Sequence, residues 1–77
     1  MVDPVAIINL ASLNKDERVE GVVTKDLLLQ WGYLKTADIQ VKILGNGDLD
    51  KALSFEGIEK FSKSAQQKIE KAGGAIK

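Results

Sequence analysis

Cysteine and histidine are both absent from this 77-residue chain. Without cysteine there is no disulfide, no thiolate metal site and no thiol nucleophile. A reducing compartment is compatible with that. Without histidine the commonest general base is missing as well. Proline occurs once, and no interior stretch rich in Pro, Gly or Ser divides the sequence. No apolar run approaches the roughly 18 residues a membrane span needs. The opening Met1-Val-Asp-Pro4 has no charged segment leading into an apolar one, so no signal peptide is expected there. Net charge is also missing: 11 basic and 11 acidic side chains balance. That argues against strong, sequence-independent phosphate binding by the chain as a whole.

What is present is an ordinary globular balance, with 44% hydrophobic and 29% charged residues. The length suits one domain, and a chain this short buries roughly 60% of the surface its unfolded form exposes. The charge is unevenly placed. Residues 1–50 carry five basic and eight acidic side chains, whereas residues 51–77 carry six lysines against three glutamates. An anionic partner would sit on the second part.

Val5-Ala-Ile-Ile-Asn-Leu10 is apolar and β-prone, and predicts a buried strand. Residues 11–21 are polar and charged and read as a surface loop. Thr24 suits a helix N-cap, Asp26 sits in the first turn beyond it, and Gly32 suits a left-handed helix end. These signals predict a helix over 25–31, with Leu27, Leu28 and Trp31 toward the core. Ile39, Val41 and Ile43 alternate with Gln40 and Lys42, as in a strand with one buried face. Gly45-Asn-Gly47 supplies a tight turn, and residues 52–55 are a candidate partner strand. Ser62 suits the N-cap of a last helix over 63–72, ended by Gly73-Gly74, with a short strand at Ala75-Ile76. If helical continuity reached back to Ile58, then Ile58, Phe61, Ala65, Ile69 and Ala72 would share one face. Lys60, Lys63, Lys68 and Lys71 would then spread over the other. That face reads either as solvated surface or as a phosphate-contacting one.

No catalytic constellation emerges. Ser12, Ser54, Ser62 and Ser64 have no activating partner, and Asp48 and Asp50 lie beside a turn where acids are usually solvated. Asn46, Asp48 and Asp50 imitate the first ligands of an EF-hand loop. The pattern then fails, because Lys51 and Gly57 stand where that loop needs glycine and a bidentate glutamate. Gly45-Asn-Gly47 lacks the third glycine of a dinucleotide fingerprint and the GK[ST] of a P-loop. No enzyme, cofactor, metal or small-molecule substrate is expected.

The order of the segments points to something more specific. Val41-Lys-Ile-Leu-Gly-Asn-Gly-Asp-Leu49 is followed by Leu53-Ser-Phe55, Phe61-Ser-Lys-Ser-Ala65 and Ile69-Glu-Lys-Ala-Gly-Gly74. This resembles the C-terminal signature of the ribosomal protein L-fifteen family. Upstream, Ile8-Asn-Leu10 with Ser12-Leu13 resembles that family's first strand and turn. Val23-Thr-Lys-Asp-Leu-Leu28 through Gly32-Tyr-Leu34 resembles its helix and exit. The resemblance implies a small single α/β domain over 5–77 after a tail at 1–4. Its short strands and two main helices would form an irregular βα superhelix. It also implies a structural role in the large ribosomal subunit in the cytoplasm, binding large-subunit ribosomal RNA beside neighbouring ribosomal proteins and supporting assembly. The isolated chain is expected to be a monomer.

In that family the domain follows a long arm rich in Gly, Arg and Lys. This sequence lacks it, which accounts for the neutral charge and leaves independent RNA affinity weak. The 55–61 connection is about one residue longer than the family's usual spacing, and Gly57 is expected to absorb the insertion. Lys51, Lys60, Lys63, Lys68 and Lys71 are the candidate RNA-binding residues. The alternative is a protein-interaction domain, or a domain fragment without independent RNA binding, docking through apolar surface near Trp31 and Tyr33.

Overall fold

The computed structural model describes residues 5–36 and 38–77; the tail expected at residues 1–4 lies outside them. Along the described residues run β1 (Val5–Asn9), α1 (Leu10–Lys15), β2 (Val22–Val23), α2 (Lys25–Gln30) and β3 (Gln40–Leu44). Then come β4 (Ser54–Phe55), β5 (Lys60–Phe61), α3 (Lys63–Lys71) and β6 (Ala75–Ile76). Strands β1, β3 and β5 form one sheet and β2, β4 and β6 another. Every pairing is parallel. Successive strands therefore enter alternate sheets, and the chain coils, laying one strand in each sheet per turn. This is the expected α/β superhelix of short strands.

Four expectations are corrected. Residues 11–21 are not all loop, because α1 covers the first part and adds a short helix, among the described residues, to the two main ones expected. Leu10 and Leu13 are three apart, fully buried, and give α1 its inner face. Residues 52–55 do supply a strand, but it does not pair with β3. Its partners are β2 and β6, because residues 45–53 carry the chain across to the other sheet. Helical continuity does not reach back to Ile58. Lys60 and Phe61 are a strand, paired in register with Lys42 and Ile43.

The opening segment, expected as a buried strand, is buried on one face only: Leu10 already belongs to α1, and Val5 and Ile7 are exposed. In α2, Leu28 is buried and Leu29 rather than Leu27 packs against the core. The capping and turn signals behave as read. Thr24 Oγ1 accepts from Leu27 N at 3.2 Å and caps α2. Gly32 and Gly73 have φ of +89°, the left-handed ending that any side chain would strain. Gly57, with φ +72°, makes a turn in the 55–61 connection. The core draws Ile8, Val41 and Ile43 from the first sheet, Val23 and Phe55 from the second, and Leu10, Leu13, Leu28, Ala65 and Ile69 from the helices. Phe55 and Phe61 join the sheets edge to face, their ring centroids 5.4 Å apart.

Candidate nucleic-acid interface

Helix α3 organises the positive end of the chain. Ser62 starts it: its Oγ accepts from Ala65 N at 3.1 Å and also from Gly45 N at 3.1 Å. One hydroxyl thus satisfies a free helical N–H and ties the end of β3 to the helix. The approach is close. A Cβ built on Gly45 would lie 2.5 Å from Ala65 N, so only glycine fits. Ala65 and Ile69 bury the inner side of α3. At about 100° per residue, Lys68 lies only about 60° from Ala65, beside the buried stripe rather than opposite it.

The consequence is visible at its ammonium group. Lys68 Nζ donates to Gly45 O and to Gly47 O, each at 2.6 Å. Between them, Asn46 O accepts from Ala11 N at 3.0 Å. The turn after β3 is therefore clasped by α3 on one side and by the start of α1 on the other. Three successive carbonyls are satisfied there, of the buried Gly45 and of the exposed Asn46 and Gly47.

Lys51 is engaged in the same manner. Its Nζ donates to Asp16 O at 2.6 Å, Val19 O at 2.9 Å and, more weakly, Leu13 O at 3.5 Å. These carbonyls belong to the end of α1 and the loop beyond it, where helical carbonyls lack intrahelical donors. All three donors of that ammonium face the protein.

Lys60, Lys63 and Lys71 are exposed. They do not share one helix face. Lys60 stands on β5, Lys63 opens α3 and Lys71 closes it. Lys71 borders a shallow cavity of about 320 Å³ shared with Asp48 and Asp50, which weaken its field toward an anion. Lys60 instead lies directly across from Lys42 in the β3–β5 ladder. Lys42 was not among the residues singled out from sequence. Its signal is the alternation of β3, which puts it on the solvent side, but no strand is expected at Lys60 to pair with it.

Elsewhere the charged groups hold the fold. Asp16 accepts from Arg18 Nη2 at 2.8 Å and from the Tyr33 hydroxyl at 2.8 Å. Hydrogen bonds from Arg18 hold the Asp16 carboxyl well below the usual carboxylate range. Burial, and the bond to Asp16, push the Tyr33 hydroxyl up to about 12. Glu59 pairs with Lys25 at 2.5 Å and accepts from Val41 N at 3.1 Å, so its side chain continues the β5 ladder by one position. The bond from Lys25, the largest cause, lowers the Glu59 pKa. Trp31 and Tyr33 are half-buried and pack against the core. No cluster of potential metal ligands occurs among the described residues.

The family described as "Ribosomal proteins 50S-L15, 50S-L18e, 60S-L27A" matches residues 4–77. The large ribosomal subunit protein uL15 of Treponema denticola is 41% identical over 70 residues, which cover 91% of this chain and 46% of that protein. Its counterpart in Trichlorobacter lovleyi is 46% identical over the same length and the same shares. The chain spans about half the length of these curated relatives.

Proposed function

Because the chain belongs to the L-fifteen ribosomal protein family, we propose that it is a non-catalytic, structural constituent of the large ribosomal subunit. It contacts large-subunit ribosomal RNA, lies beside neighbouring ribosomal proteins in the cytoplasmic ribosome and supports subunit assembly. Residues 5–77 act as one folding unit that is monomeric when isolated and takes no small-molecule substrate. The observation that carries this reading is the family match across nearly the whole chain. The chemistry agrees with it: Lys60, Lys63 and Lys71 are exposed cations on β5 and α3, and the Ser62 hydroxyl is taken up in capping α3 and holding Gly45 N.

The five candidate lysines divide by role. Lys60, Lys63 and Lys71 meet phosphate, while Lys51 and Lys68 hold the loops that position them. The test is binding of the chain to a large-subunit ribosomal RNA transcript as salt is raised. Three phosphate contacts at about 0.9 each, the duplex DNA value, give a log–log slope of roughly −2 to −3. Weak binding with that slope supports the reading. Binding that ignores salt, or none at low salt, refutes it, since phosphate contacts release counterions and apolar docking does not.

A further inference from the structure

The outward face of the β1–β3–β5 sheet carries an arrangement that the three lysines above leave unexplained. Register places Ile7 beside Lys42, and Lys42 beside Lys60. Residues opposite one another in a sheet point to the same face, so these side chains form one row across all three strands. Ile7 is 62% exposed, and Val5, on the same face, is exposed as well. Among the described residues, neither Lys42 nor Lys60 takes part in an ion pair. The adjacent carboxylate, Glu59, is already committed to Lys25 and to Val41 N.

Neighbouring strands lie only about 4.8 Å apart, and like charges placed directly opposite one another destabilise a sheet. The Lys42–Lys60 pairing therefore weakens the fold, and no acidic side chain among the described ion pairs offsets it. An exposed isoleucine beside two cations does not help solubility either. The arrangement is explained if an anionic surface covers the row.

We propose, resting on the RNA-associated reading above, that the Ile7–Lys42–Lys60 row is the principal surface on which this chain receives an RNA backbone, with Lys42 a contact residue. The two lysine stems are long and flexible, so their ammonium groups separate to meet successive phosphates. Ile7 covers the adjoining sugar edge and excludes water, which strengthens the ionic contacts beside it. A row of this kind positions RNA without reading its sequence, because a lysine is a point charge with no bidentate fork.

The test uses the same large-subunit ribosomal RNA transcript with Lys42→Glu, Lys42→Gln and, for comparison, the pair Lys63→Gln and Lys71→Gln. Lys42→Glu puts opposite charges across the ladder, so its melting temperature holds or rises while RNA affinity falls. Lys42→Gln lowers the salt slope by about 0.9. If Lys42→Glu folds poorly, Lys42→Gln carries the test alone. Wild-type binding that is salt-dependent but unmoved by either Lys42 variant overturns this proposal and leaves the broader reading intact. Should the Lys42 variants keep full RNA affinity yet enter large subunits poorly, the row docks a protein and the proposal fails. Absence of salt-dependent binding by the wild type overturns both readings.

Discussion

Replacing Lys51 by methionine separates a structural lysine from an RNA-binding one. Methionine keeps a long, unbranched apolar stem but removes the ammonium. Two short charge-assisted bonds are lost, to Asp16 O at 2.6 Å and Val19 O at 2.9 Å, together with the weak one to Leu13 O. Hydrogen bonds to charged groups contribute roughly 1.5–3 kcal/mol each. Lys51 is only half-buried, so water replaces part of that loss at the exposed carbonyls. Asp16 O also keeps its bond from Val19 N. A net destabilisation of about 2–3 kcal/mol is therefore expected. In a domain of this size each kcal/mol moves the midpoint by roughly 4–8 °C, so the melting temperature should drop by about 8–24 °C. Urea unfolding followed by Trp31 fluorescence, with calorimetry alongside, measures it. A change below about 0.5 kcal/mol accompanied by weaker RNA binding would refute the argument and return Lys51 to the RNA face.

Ile69→Ala should cost about 2–5 kcal/mol, since it empties a fully buried site in a small core; a near-neutral result in denaturant unfolding would contradict that burial. Gly73→Val forces a β-branched residue into φ +89° and should lower the melting temperature more than an ordinary surface change does, with Lys71→Val as the comparison. Tyr33 is held neutral by the fold, at about 12. Its contribution to stability is therefore complete below the unfolded value of about 10 and lost as pH rises from there through 12. Tyr33→Phe should flatten the stability profile in that window, and an unchanged alkaline slope would refute the assignment. Asp16 runs the other way: its lowered pKa gives stability present above about 4 and lost as pH falls through the folded value. Asp16→Asn should show a shallower acid decline, and a decline as steep as the wild type's would exclude Asp16 as a source.

Elements with a dense local signal were readable from sequence. Helix α2 has a capping threonine, an acid in its first turn and a glycine exit, and α3 has a capping serine and a glycine exit. Strand β3 is long enough to show alternation. What escaped were elements too short to have a period. Helix α1 has six residues with two buried leucines, and Asn9 makes no side-chain cap, so its charged neighbours looked like loop. Strand β5 has two residues, and Phe61 lies three positions after Ile58, which imitates a helical face. Pairing was harder still. In a coil of parallel strands each partner lies a whole turn away, whereas Gly45-Asn-Gly47 resembles the turn of a hairpin, which joins antiparallel strands.

The lysines show a different limit, because a sequence records charge but not what the charge already touches. Lys51, Lys68 and Lys60 look alike in a count of positive residues. In the fold, the first two end on backbone carbonyls and the third ends beside another lysine. The difference follows from position. Lys68 flanks the buried stripe of α3, so its stem runs along apolar surface and delivers the ammonium to the turn at Gly45 and Gly47. Lys51 reaches the end of α1, where carbonyls lack helical donors. Lys42 and Lys60 are set side by side by strand register, and register cannot be read from two-residue strands. Two acids are spent inside the fold with one cation each, Asp16 on Arg18 and Glu59 on Lys25, while neither Lys42 nor Lys60 takes part in an ion pair among the described residues. The quantity that matters for an RNA backbone is the set of cations left over once the fold has used its own. On that basis Lys42 and Lys60 on the sheet face join Lys63 and Lys71 of α3 as the lysines to test against an RNA backbone.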